Sequence, residues 1–143
     1  IECLKFLKSD SAMKNLYDYI NNNLSNRNII ILGDLNDDIG SMVNFDGEPK
    51  GIFYLFEEDE NNSQYLFTDR DISDGSLNNW SYPNYPSHID HIIINNKIIN
   101  NSNISFETST LLIEKMLPDG WREYDSYISD HRPLLINLEI AIP

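Results

Sequence analysis

Asn28-Ile29-Ile30-Ile31-Leu32-Gly33-Asp34-Leu35-Asn36 is the stretch from which the fold is read. The run from Asn28 to Leu32 has the continuous apolar character of a strand buried on both faces. Gly33 breaks it, and an acidic loop, Asp34 to Asp38, follows. Upstream, Met13, Leu16, Tyr17, Ile20 and Leu24 fall on one face at helical spacing. Ser9 to Leu24 therefore reads as an amphipathic helix capped by Ser9 or Ser11. Downstream, Ile89 to Ile94 repeats the buried-strand pattern, and Pro133 to Ile142 alternates as a last strand. Between them, Ile98 to Ile113 holds one or two strands with a turn at Asn100 to Asn103. Tyr65 to Thr68 reads as a short strand or helical turn, and Glu57 to Asn62 as a solvated acidic loop or helix end. Asp69 to Pro86 and Leu117 to Tyr127 read as loops from their Asp, Asn, Gly and Pro content. In the first of these, Trp80, Tyr82 and Tyr85 are read as pins holding the loop to the body rather than as the wall of a cleft. This order predicts an α/β (α+β) fold, with one mixed sheet and a helix packed on it. The strands are too apolar to leave the other face in water, so a second sheet is expected to cover it.

The 143 residues suffice for one domain with a core, and an apolar content of 41% argues against disorder. No apolar stretch approaches the roughly 20 residues of a membrane span. No signal-peptide pattern opens the chain. Ile1 to Leu7 already reads as the inside of a strand, and the chain is expected to be a piece of a longer protein. A single cysteine, Cys3, excludes an internal disulfide and a cysteine-based zinc site. The net charge of −13 counts against tight nucleic-acid binding by this segment alone. It leaves catalysis on nucleic acid open, because bound cations offset local negative charge.

Three strand-end segments carry the chemistry. Asp34 and Asn36 lie two residues apart, so in an extended loop their side chains point the same way. A carboxylate there can orient a water and accept its proton, and an amide can donate to a phosphoryl oxygen. An Asx turn is the bland alternative. Asp90 opens a strand and is suited to orienting a distant imidazole, while His91 points to the opposite face. His88 is assigned no role. Asp130 offers a hard oxygen suited to Mg²⁺ or Mn²⁺, and His131 can donate to a phosphate oxygen or to the leaving group. A turn capped by Ser129 is the alternative there.

In this order at strand ends, Gly33-Asp34-Leu35-Asn36, Ser87-His88-Ile89-Asp90-His91 and Ser129-Asp130-His131 resemble the C-terminal half of the endonuclease/exonuclease/phosphatase superfamily, the deoxyribonuclease I-like enzymes. The resemblance runs from about Ile29 to Leu138. Asn79-Trp80-Ser81-Tyr82-Pro83, leading into Pro86 to His91, is similar to a bacterial branch of extracellular or envelope nucleases. The resemblance implies half of a four-layer α-β-β-α sandwich, residues 1–143 being the C-terminal part of a single domain whose N-terminal half is absent. It implies that Asp34 activates the attacking water and serves as a metal ligand, that Asn36 stabilises the transition state, and that Asp130 ligates the metal. It further implies that His131, held by Asp90, binds the scissile phosphate or assists its protonation. The superfamily's metal-binding Glu, the Asn before it and a His belong to the other half; none is placed here, and Glu2 is not assigned. The piece alone is expected neither to fold well nor to turn over substrate.

Three functions remain in play. One is a divalent-metal phosphodiesterase acting on DNA or RNA, which the branch resemblance favours. Another is the same chemistry on a phosphomonoester or phospholipid head group, which the acidic charge favours. The third is a non-catalytic binding remnant, disfavoured by the joint presence of Asp34, Asn36, Asp90, Asp130 and His131. An extracellular or cell-envelope setting is suggested by the branch resemblance alone.

Overall fold

Helical spacing of apolar residues produces the first element, α1 (Asp10–Asn23). Its Met13 and Ile20 are buried, and Leu16, Tyr17 and Leu24 pack beside them. The computed structural model describes residues 10–40 and 51–141. Ile1 to Leu7, with Glu2 and Cys3, lie outside the described residues, as do Ser9, residues 41–50 and Ile142. After α1 come β1 (Ile30–Asp34), α2 (Tyr54–Asn61), β2 (Tyr65–Phe67), α3 (Arg70–Ser73) and β3 (Asp90–Asn95). Then follow α4 (Asn96–Ile99), β4 (Ile104–Thr110), α5 (Trp121–Tyr127) and β5 (Leu134–Ile140). Short 3-10 turns at Leu77–Asn79 and Ile113–Met116 complete the order.

The α+β class is as expected, but the sheet is not one mixed sheet. Every pairing among the described residues is antiparallel, in a three-stranded group β1-β3-β2 and a two-stranded group β4-β5. The central strand β3 runs opposite to both its neighbours, although every connection between paired strands, at more than 20 residues, is long enough for a parallel return. The two groups abut through β3 and β5, and the Thr108 hydroxyl donates to Thr68 Oγ1 at 2.8 Å.

Two stretches read as loops are more regular. Trp121–Tyr127 is a helix that follows Gly120, whose φ of 59° suits glycine. Within Asp69 to Pro86, α3 and one 3-10 turn form. Gly33 does not break β1. Its φ of 145° is a conformation that residues with a Cβ rarely adopt, and the ladder runs through it, pairing Gly33 with His91 and Asp34 with Asp90.

Directly opposed residues of an antiparallel pair share a face. Ile31, His91, Ile93, Tyr65 and Phe67 therefore face α1 and α2, where Phe53 and Phe56 complete the core. Phe56 is fully buried, with edge-on contacts to Tyr17 at 5.3 Å and Tyr65 at 5.0 Å between ring centroids. Phe56→Ala is expected to cost about 3–5 kcal/mol of stability, measured by urea unfolding. The opposite face carries Ile30, Leu32, Asp34, Asp90, Ile92 and Ile94. There Ile92 and Ile94 are buried, whereas Leu32 is 66% exposed. Among the described residues no helix is long and apolar enough to cross a membrane.

Candidate active site

Antiparallel register sets Asp34, the last residue of β1, directly opposite Asp90, the first of β3. Like charges so placed destabilise a ladder, by roughly 0.2–1 kcal/mol. A sheet that ends in such a pair is disposed to receive positive charge. His131 meets part of that need, with Nδ1 at 2.7 Å from Asp90 Oδ2. An ionised carboxylate only accepts, so Nδ1 carries the proton and donates, and Nε2 is left for other work. Nε2 has no partner among the described residues.

The ring and its backbone are held from three sides. Tyr82 stacks on the imidazole with centroids 4.7 Å apart and planes inclined by 29°. The His131 N–H donates to Ser129 Oγ at 3.0 Å, so the Ser129 turn does form locally. The buried Tyr124 of α5 donates its hydroxyl to the His131 carbonyl at 3.1 Å. Of the three loop aromatics, Trp80 is a pin, its Nε1–H shared between the Ile72 and Ser73 carbonyls. Tyr82 lies on the site itself, and Tyr85 is exposed.

Asn36 departs from the extended geometry. Its φ is 60°, and its N–H donates to Asp34 Oδ1 at 3.0 Å, which is an Asx turn. Asparagine takes this left-handed conformation more readily than most residues. The turn fixes the Asp34 carboxylate instead of aligning the two side chains in parallel. Asp130 is exposed in the turn before His131, and its carboxylate has no partner among the described residues. The structure thus joins Asp34, Asp90 and His131 at one sheet end. Asn36 and Asp130 are brought alongside by chain connectivity.

Asp69, absent from the sequence reading, is the most heavily bonded carboxylate near this end. It follows β2, is fully buried, and accepts from the Ile92 N–H at 2.8 Å. Its other oxygen lies 3.0 Å from His88 Nε2 and 2.7 Å from His91 Nδ1. Burial alone would push its carboxyl up. The hydrogen bonds from His88 and His91, the charge of His91 and the Ile92 N–H outweigh that and hold it down to about 2. A carboxyl lowered on folding stabilises the protein above its ordinary value of 3.8, and that contribution is lost as pH falls through about 2. The loss is about 2 kcal/mol. Urea unfolding between pH 5 and about 2 is expected to show it in the native protein and not in Asp69→Asn.

Residues 9–131 match the model of the Endonuclease/Exonuclease/phosphatase family. The chain belongs to that family. No curated protein and no solved structure matches it. Endonuclease/exonuclease/phosphatase proteins are phosphoric-ester hydrolases that generally use divalent metals. Asp34 and Asp130 are exposed carboxylates, and carboxylate oxygens are the type of donor that hard divalent cations accept. The opposed Asp34 and Asp90 carboxylates give such a cation an electrostatic reason to bind there. A second donor set, Asp69, His88 and His91, has ligand atoms within 4.8 Å of one another and is fully buried.

Proposed function

We propose that this chain carries the C-terminal part of the hydrolytic centre of a divalent-metal-dependent phosphodiesterase, and that the substrate is nucleic acid. The observation that carries the reading is the His131–Asp90 hydrogen bond beside the Asp34–Asp90 cross-strand pair, with Asp130 next to His131 in the chain. In this reading Asp34 orients the attacking water and takes its proton. The Asn36 amide donates to a phosphoryl oxygen as charge develops there. His131 presents Nε2 to the scissile phosphate or leaving oxygen, its tautomer and orientation fixed by Asp90. Asp130, with Asp34, would hold Mg²⁺ or Mn²⁺, which supplies Lewis-acid stabilisation of the phosphoryl charge when bound.

With this reading go two proposals. The chain is the C-terminal part of one sandwich domain, a role that the exposed Ile30 and Leu32, on one face of the sheet, support as apolar side chains left for a further layer. Its setting is extracellular or the cell envelope, supported by the resemblance of Asn79 to Pro83 and Pro86 to His91. The net charge of −13 favours a second reading, a phosphomonoester or phospholipid head group as substrate.

The intact native protein, given supercoiled plasmid or a generic phosphomonoester with Mg²⁺ or with EDTA, tests the choice. Nicking that EDTA abolishes is the expected result. Phosphate release without nicking would move the protein to the phosphatase reading. Inactivity on both would leave a lipid substrate or a non-catalytic fold.

A further inference from the structure

We propose that Asp69 is a positioning residue for the hydrolytic site, holding through His88 and His91 the three segments that carry Asp34, Asp90 and His131. The inference rests on the phosphodiesterase reading. His91 shares the α1 face of the sheet with Ile93, so this group sits behind the strand from Asp90 and does not meet substrate.

The connections run to each segment in turn. His91 Nε2 donates to the Asp37 carbonyl at 2.8 Å, in the loop that follows Asp34. His88 Nδ1 accepts from the Ser81 N–H at 3.3 Å. Ser81, fully buried, then serves both remaining segments. Its hydroxyl oxygen accepts from the Asp90 N–H at 3.2 Å, and its carbonyl accepts from the N–H of Arg132, next to His131, at 2.7 Å. One buried carboxylate therefore ties together, through short chains of hydrogen bonds, elements far apart in sequence. A donor-acceptor network closed in this way fixes orientation more than it adds stability.

The same three residues also have ligand atoms within 4.8 Å of one another, as a metal donor set would, and in this structure the hydrogen-bond pattern favours their positioning role. Ser81 N–H can only donate, so His88 Nδ1 is bare and the ring proton is on Nε2, facing Asp69. Binding a cation through Nε2 would drive that proton to Nδ1, against the Ser81 N–H. His91 faces acceptors at both nitrogens, the Asp69 carboxylate and the Asp37 carbonyl, and donates through both. Every ring nitrogen is thus already committed to a hydrogen bond.

The test is Asp69→Asn in the intact native protein, assayed on bis(4-nitrophenyl) phosphate with Mg²⁺. The amide keeps an acceptor for Ile92 but meets the His88 Nε2–H with a donor. kcat is expected to fall by about 10–100-fold with KM within about twofold, as for other groups that orient a reacting side chain. The proton NMR signal of the His131 Nδ1–H, which reports the Asp90 bond, is expected to move or broaden. In a His131→Ala background the substitution is expected to cost less than in the native protein, because the part of its effect that runs through His131 is already gone and only the part that runs through the Asp34 loop remains. If Asp69→Asn does not fold, His88→Leu severs only the Ser81 branch and is read in the same way. A folded variant with native kcat and an unmoved His131 signal would overturn the inference. So would a stoichiometric transition metal in the native protein that Asp69→Asn loses. If the native protein hydrolyses no phosphodiester, the functional reading fails by itself, and the His131 signal still decides the positioning role.

Discussion

His131→Ala is expected to lower kcat for phosphodiester hydrolysis by on the order of 10³-fold, the middle of the range for a positioned acid-base group. Among the described residues the side chain's one polar partner is Asp90, at 2.7 Å. The bonds that shape its turn belong to its backbone, from Ser129 Oγ to its N–H and from the Tyr124 hydroxyl to its carbonyl. Truncation removes the imidazole and leaves those bonds in place, so the turn and α5 keep their anchor. The melting temperature is expected to change little while kcat collapses. Steady-state kinetics beside a thermal melt check both halves of this statement. Asp90→Asn is expected to be costly in the native background and nearly silent once His131 is gone, because the two act as a unit. A folded His131→Ala protein within tenfold of native activity would remove the imidazole from the mechanism.

Asp34→Asn is expected to lose activity on a similar scale, on the order of 10³-fold, while gaining stability. The opposite signs have one cause. Asp34 and Asp90 are cross-strand partners, and neutralising one removes a like-charge opposition worth roughly 0.2–1 kcal/mol. The Asx turn survives, because an asparagine oxygen can accept from the Asn36 N–H as Asp34 Oδ1 does. What disappears is the proton acceptor and one hard oxygen for the cation. Half-saturation by Mg²⁺ is therefore expected to rise together with the loss of kcat, measured by metal titration of the rate. A variant that loses both stability and activity would mark Asp34 as structural.

Much of this was readable from sequence where burial enforces a period. α1 shows four apolar residues at helical spacing, with Leu24 just after it, because one face meets Phe53, Phe56 and Tyr65. β3 shows the apolar run Ile92 to Ile94 because β1 and β2 flank it and both its faces are covered. Strand alternation also separated His91 from Asp90. The α5 helix was not legible, since it buries only Tyr124 and leaves no stripe. The left-handed Asn36 was not legible either, because an Asp-x-Asn triplet fits both an extended loop and a turn. Asp69 was hidden for a different reason. A lone Asp before a polar stretch has no local signature, and its partners His88 and His91 lie 19 and 22 residues downstream. Only the antiparallel return of β3 alongside β2 brings them together.

The most direct measurement is the rate of bis(4-nitrophenyl) phosphate hydrolysis by the intact native protein, compared with His131→Ala and with EDTA in place of Mg²⁺. The account predicts turnover by the native protein in Mg²⁺, none in EDTA, and a rate lower by on the order of 10³-fold for His131→Ala. Equal rates for the native protein and a folded His131→Ala variant, or a rate indifferent to EDTA, would contradict it.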